Sequence, residues 1–366
     1  MHKRFLAFAA VAVVAFAACS GGGTATTGPG GASSAPGTGG TATGCTIGVS
    51  WNNYQEERWA KWDEPAIKAA IEAGGGKYIS NDAKSSADTQ NSNVANLISQ
   101  GAKVVIILAQ DGTAIKTAVS SATQANVPVI AYDRLIEDPK VLYITFDNKL
   151  VGKLQAEALL KVKNAGNFVV IKGNKADANA DFLRAGMVEA GLPEAGQSSA
   201  TLKNVGETYT DNWDPAKAQA EMEQFLTANS NKIDIAFVEN DGMAGGAIAA
   251  LTAQGLAGTV PVSGQDGDLA ALNRVALGTQ TVDVWKDARA LGKAAGEAAV
   301  ALCANPDASK VSGAAAFTTP GGNSVSSIFL KPEAITKDNL NVVLDAGWIT
   351  KDALCKGVTA GSVTGC

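Results

Sequence analysis

Polar side chains with planar or charged heads stand at one recurring kind of position in this chain: directly after an apolar, β-prone run. Asp133 and Arg134 follow Val127–Tyr132. Glu239, Asn240 and Asp241 follow Ile233–Val238. Gly264, Gln265 and Asp266 follow Val260–Ser263, and Lys286 follows Val282–Trp285. The loop after Phe168–Ile171 holds Asp177 and Asn179, and the first run leads through Asn52 and Asn53 to Arg58 and Trp59. Carboxylates and amides accept or share hydroxyl protons, while Arg and Lys donate to the same oxygens. An indole face stacks on the C–H face of a ring. Together these groups are the lining expected for a neutral, polyhydroxylated ligand. Each also has a plainer reading. Asn240, Asp241 or Asp266 could cap the helix that follows. Asp133–Arg134 could be a surface ion pair, and one of Trp59 and Trp62, at helical spacing, could be core.

Other chemistries lack their residues. The only histidine is His2, so His-based nucleophilic catalysis and His-ligated zinc are excluded from the rest of the chain. There is no phosphate-binding glycine loop, no nucleophile elbow, no calcium loop and no C-x-x-C pair. No cofactor or metal is therefore expected. A carboxylate pair such as Asp133 and Asp266 could in principle cleave glycosides, and a product assay separates that reading from simple binding.

The elements that position these groups alternate regularly from Thr46 onward. Eight apolar runs are interleaved with helical segments such as Trp59–Ala73, Thr89–Gln100, Val151–Val162 and Gly242–Gln254, whose apolar residues recur every three or four positions. Continuous Val/Ile strands alternating with helices predict parallel sheets covered on both faces. So many strands predict an α/β protein of two doubly wound lobes, with a closed eight-fold barrel as the alternative. Open sheets of this kind bind ligands beyond the carboxyl ends of their strands.

Residues 1–19 read as an export signal. Lys3 and Arg4 precede the apolar Phe5–Ala18, and Cys19 follows the small residues Ala17 and Ala18, as at a lipidation site. Residues 20–44 contain only Ser, Gly, Thr, Ala and Pro. They predict a flexible tether with a reach of about 25–30 Å. A membrane-anchored chain working outside the cytoplasm is expected. Four further cysteines allow three pairings; Cys45–Cys303 and Cys355–Cys366 are favoured, the second for its short separation. The net charge of −5, with acids and bases interspersed, gives no basic patch and no reason to expect a nucleic-acid partner. A monomer is expected.

The segments Glu57-Arg58-Trp59, Ala131-Tyr132-Asp133-Arg134, Phe146-Asp147-Asn148, Leu183-Arg184-Ala185-Gly186, Ser263-Gly264-Gln265-Asp266 and Gly278-Thr279-Gln280-Thr281 resemble those of bacterial D-xylose-binding proteins. So do Asn240-Asp241 with Ala244-Gly245-Gly246-Ala247-Ile248, and Ala253-Gln254-Gly255-Leu256. These proteins belong to the periplasmic sugar-binding family (type I periplasmic binding proteins) that includes ribose and galactose binders. The resemblance is collinear from about Cys45. It implies two Rossmann-like lobes joined by three crossings, with a monosaccharide in the interlobe cleft. The lobes are expected at 45–147 plus 287–320 and at 148–286 plus 321–366. The implied sugar contacts are Arg58, Asp133, Arg134, Asn179, Asn240, Asp266 and Lys286, with Trp59 and Trp213 as stacking faces. Where relatives commonly carry Asp after the first strand, this chain has Asn52-Asn53. The implied role is delivery of the sugar, D-xylose first, to the membrane permease of an ABC importer.

Overall fold

The structure is a computed structural model that describes residues 43–366. The expected signal, Cys19 and nearly all of the tether lie outside the described residues. In chain order the strands are β1 (Thr46–Trp51), β2 (Lys77–Asp82), β3 (Val104–Ile107), β4 (Val129–Tyr132), β5 (Leu142–Phe146), β6 (Gly166–Lys172), β7 (Leu202–Tyr209), β8 (Ile235–Val238), β9 (Ser263–Gln265), β10 (Val282–Trp285), β11 (Ala315–Thr318), β12 (Ser324–Leu330) and β13 (Glu333–Ile335). The helices are α1 (Glu64–Ala73), α2 (Ala87–Ser99), α3 (Lys116–Gln124), α4 (Asn148–Val162), α5 (Ala178–Glu189), α6 (Pro215–Ala228), α7 (Asp241–Ala253), α8 (Leu269–Leu277), α9 (Ala288–Ala304), α10 (Asn341–Asp345) and α11 (Lys351–Leu354).

The first lobe is a seven-stranded sheet in the order β11-β12-β5-β4-β3-β1-β2. The second runs β7-β6-β8 and then β9-β10-β13. The two halves of the second lobe meet at a parallel bridge, Ala236 to Val262. There the Ser263 hydroxyl takes the ladder's place: it accepts from the Val238 N–H at 3.0 Å and donates to the Val238 carbonyl at 2.9 Å. Each lobe thus repeats one doubly wound order, with its switch point between β1 and β3 in one and between β6 and β8 in the other. Crevices for ligands open at such points.

Both faces of each sheet are covered, which is why the central strands read as unbroken apolar runs. β3, VVII, is buried at every position. In the first lobe Ile47, Val49 and Ile106 pack towards α1 and α9, while Val105, Ile107 and Val129 pack towards α2 and α3. In the second, Val169 and Val238 face α6 and α7, and Phe168 and Phe237 face α4 and α5. Side-chain caps set the helix starts: Ser86, Asp147, Asp177, Asp214 and Asn240 each accept a backbone N–H of the first turn.

The chain crosses between lobes three times: from β5 into α4, from β10 into α9, and from β12 into β13. The last crossing lies later than the sequence places it. β12 pairs in parallel with β5 from Ser326 opposite Leu142 to Leu330 opposite Phe146. Residues 321–330 therefore stay with the first lobe, because a strand in mid-sheet cannot leave it. Both favoured cysteine pairs are disulfides. Cys45–Cys303, with Cα atoms 6.3 Å apart, ties the start of β1 to the end of α9; Cys355–Cys366, at 5.4 Å, closes the C-terminal segment. No helix among the described residues is long and apolar enough to cross a membrane.

Candidate functional site

After β1 the chain turns through Asn52 and Asn53 and enters a wide π-helical turn, Trp59–Asp63, ahead of α1. That turn brings Asp63 back onto Arg58. Its carboxylate takes the guanidinium in two bonds, Nε to Oδ2 at 3.0 Å and Nη2 to Oδ1 at 2.8 Å, and the Tyr132 hydroxyl donates to the same Asp63 Oδ1. Nη1 of Arg58 then lies 3.1 Å from Asp133 Oδ2 at the end of β4 and 3.3 Å from Asp266 Oδ1 at the end of β9. Asp266 Oδ1 is also 3.1 Å from Lys286 Nζ at the end of β10. A second chain of charges runs beside it. Arg134 reaches Asp177 Oδ2 at 3.0 Å and Glu56 Oε1 at 3.3 Å, and donates to the Ala109 carbonyl at 3.2 Å. The indole N–H of Trp59 donates to Glu56 at 2.7 Å and that of Trp213 to Asp177 at 3.2 Å. The bonds Arg58–Asp266 and Arg134–Asp177 join the two lobes directly.

Asn179 donates to Asp133 Oδ1 at 3.3 Å and accepts from Asn148 at 2.9 Å. Asn240 caps α7 through Oδ1, accepting from the Met243 N–H at 2.9 Å, and also lines the crevice between the lobes. Arg58, Trp59, Asp133, Arg134, Asn179, Trp213, Asn240, Asp266 and Lys286 all line this one narrow crevice. All nine are buried. Asp133 and Arg134 are thus no surface pair. Trp59 is both core, beside Trp51, and part of the lining.

Charge placement tunes these groups. Burial pushes the Asp133 carboxyl up, but Arg58, Lys286 and Arg134 reverse this and hold it below its ordinary value. Burial outweighs Arg134 at both Glu56 and Asp177, so both are raised. It also lifts Asp63 to about 6 despite Arg58. Three lining residues, Asp133, Trp213 and Asp266, hold the left-handed backbone, with φ of 61°, 55° and 106°. Such strain persists where the surroundings over-determine it, commonly at functional sites. The indole of Trp213 lies where a Cβ at position 173 would be, so Gly173 is required.

Behind the site, Trp348 donates its indole N–H to the Gly267 carbonyl at 2.6 Å. Trp62 of the first lobe stacks on Trp348 with ring centroids 4.5 Å apart.

A family profile described as "Periplasmic binding protein domain" matches residues 47–307. The chain belongs to the periplasmic binding proteins. This periplasmic binding protein is 42% identical over 257 residues to the D-xylose-binding periplasmic protein of Escherichia coli, spanning 70% of this chain and 77% of that one. It is 37% identical over 310 residues to the D-xylose-binding periplasmic protein of Haemophilus influenzae, spanning 84% and 91%. Among solved structures it is similar to the carbohydrate transporter solute binding protein of Chloroflexus aurantiacus in complex with D-glucose. The TM-score is 0.73 at 28% identity, covering 84% of this chain and 97% of the other. Periplasmic binding proteins of this kind serve transport and are not enzymes.

One lining residue carries no role in the sequence reading. Glu56 lies in the run Gln55-Glu56-Glu57, where nothing marks which carboxylate turns inward. Asp177 and Gln265 line the crevice from strand ends, where the sequence places them. Asn52 is fully buried, with neither amide atom hydrogen-bonded among the described residues.

Proposed function

We propose that this periplasmic binding protein captures a monosaccharide, D-xylose in preference to others, and delivers it to the permease of an ABC importer. The observation that carries the proposal is the convergence of two guanidinium groups, one ammonium, four carboxylates, three amides and two indoles on one narrow crevice. Arg58, Arg134 and Lys286 donate to ring and hydroxyl oxygens there, and Asp133 and Asp266 accept from hydroxyls. Trp59 and Trp213 offer ring faces. Sugar bridges the lobes and shifts the population towards the closed arrangement. The relatives named for D-xylose support a pentose. A hexose adds a hydroxymethyl group that must find both room and partners, and an unsatisfied buried polar group costs about 1–3 kcal/mol.

Calorimetric titration with xylose, ribose, arabinose, galactose and glucose tests this. Xylose is expected to bind at least about tenfold more tightly than glucose, which needs only about 1.4 kcal/mol. Asp266→Ala is expected to cost about 1.5–3 kcal/mol of xylose binding, the range for hydrogen bonds to charged groups. Equal binding of glucose overturns the pentose preference, and no binding of any sugar overturns the sugar reading.

We also propose that Cys19 carries lipid and anchors the chain to the outer face of the cell membrane. The apolar signal, the small residues before Cys19 and the tether after it support this. Cys19→Ser is expected to release the protein or leave the signal uncut in a membrane fractionation. Unchanged processing and retention sink the idea.

A further inference from the structure

Beneath Asp266, on the side away from the site, two carboxylates crowd one hydrogen-bond donor. The Gly267 N–H lies 3.1 Å from Asp241 Oδ2 and 3.1 Å from Asp283 Oδ1. Asp241 Oδ2 also accepts from the Asp268 N–H at 3.0 Å, and its Oδ1 accepts from the Gln280 amide at 2.8 Å. Both carboxylates are fully buried, and Asp283 Oδ2 has no hydrogen-bond partner among the described residues.

The charges around the pair do not neutralise it. Arg274 of α8 spends its guanidinium on the Asp241 backbone carbonyl, 2.8 Å, and on Gln280, 3.0 Å. Lys286 of β10's end and Arg58 of the first lobe are committed to Asp266. Asp266 and Asp268, on the turn itself, add negative charge, and Glu57 of the first lobe adds more facing Asp268. The N-terminus of α7 is the one further favourable partner for Asp241. Two like charges this close and this dry cannot both be ionised, and one proton between them resolves the conflict.

We propose that Asp241 and Asp283 share a proton and, through it, clamp the Gly267 turn that aims Asp266 into the ligand site, as positioning residues for sugar binding. The turn is held from one side by this acid pair and from the other by the Trp348 indole on the Gly267 carbonyl. It needs both clamps because Asp266 and Gly267 both hold positive φ, 106° and 83°. Burial, ahead of the neighbouring carboxylates, pushes Asp283 up to about 8. The sign follows: the clamp is whole while the proton is present and is lost as pH rises through that value, so affinity falls on the alkaline side.

The inference rests on Asp266 contacting sugar, and the test separates the two. Xylose affinity of the full chain is measured calorimetrically between about pH 7 and about pH 10, beside the infrared carboxyl C=O band of the sugar-free protein at neutral pH. The wild type is expected to lose about tenfold in affinity over that range and to show a protonated buried carboxyl. Asp283→Asn, which keeps a hydrogen bond and removes the proton, is expected to lose the pair's share of the band, leaving that of other buried acids such as Glu239, and to lose the alkaline decline. Asp241→Asn is expected to do the same, and serves if the first variant does not fold. Profiles that fall in parallel in wild type and variants, or a wild type without the infrared band, overturn the proposal. If xylose does not bind at neutral pH, the ligand reading fails instead, while the infrared difference between wild type and Asp283→Asn still reports on the shared proton.

Discussion

Arg58→Met is expected to abolish detectable sugar binding and to lower the stability of the folded chain by about 3–5 kcal/mol, the usual result of removing one partner from a buried ion cluster. Methionine fills much of the same volume, so the loss is electrostatic and not that of a cavity. Arg58 is 1% exposed and holds Asp63, Asp133 and Asp266 together. Without it three carboxylates face one another with only Lys286 and Arg134 near. The defect should be worst at neutral pH. In the wild type Asp133 is held below its ordinary value, so its contribution is present above about pH 4 and lost as pH falls through the folded value. In the variant the three acids take up protons readily, so the gap between the two proteins narrows towards acid. Chemical denaturation at several pH values, with xylose titration at neutral pH, measures both effects. A variant within about 1 kcal/mol of wild type that still binds sugar would show that Arg58 is neither the hub of the cluster nor a ligand contact.

Removing Cys45–Cys303 by a double alanine substitution is expected to cost about 5 kcal/mol, and removing Cys355–Cys366 about 3 kcal/mol. The difference is entropic: the first bridge closes 258 residues and the second 11, and the loop-closure cost grows with the logarithm of loop length. The first loss should fall on the lobe containing β1 and α9. Thermal unfolding of the oxidised protein and the two double variants ranks them. A larger loss from the short bridge than from the long one would refute this account.

The strand-end groups were legible in the sequence because doubly wound sheets send ligands to one edge, so an apolar run marks the address of the residue that follows it. Asp133, Asp266 and Lys286 were found that way. Trp213 follows the polar strand β7 and needed family resemblance. The missing strands have one cause. β2, β7, β11 and β13 are sheet edges, with one side half-wet, and KYISND or LKNVGETY carries no apolar run. β12 is internal to the sheet, yet SVSSIFL fully buries only Val325 and Ser327. Asp63 was invisible for another reason: its part depends on a π turn, and the expected regular helix from Trp59 would aim it elsewhere. The acid pair Asp241–Asp283 joins residues from α7 and β10, a proximity no local pattern encodes.

The late return of β12 fixes the order in which this molecule can mature. The sheet that begins at Thr46 is incomplete until residues 324–330 have been synthesised, since β12 seals β5 on one side and supports β11 on the other. Cys45 likewise waits for Cys303. The half of the protein that leaves the ribosome first is therefore among the last to close. Its early strands stay exposed for most of synthesis, which favours passage through a narrow export channel as an unstructured thread.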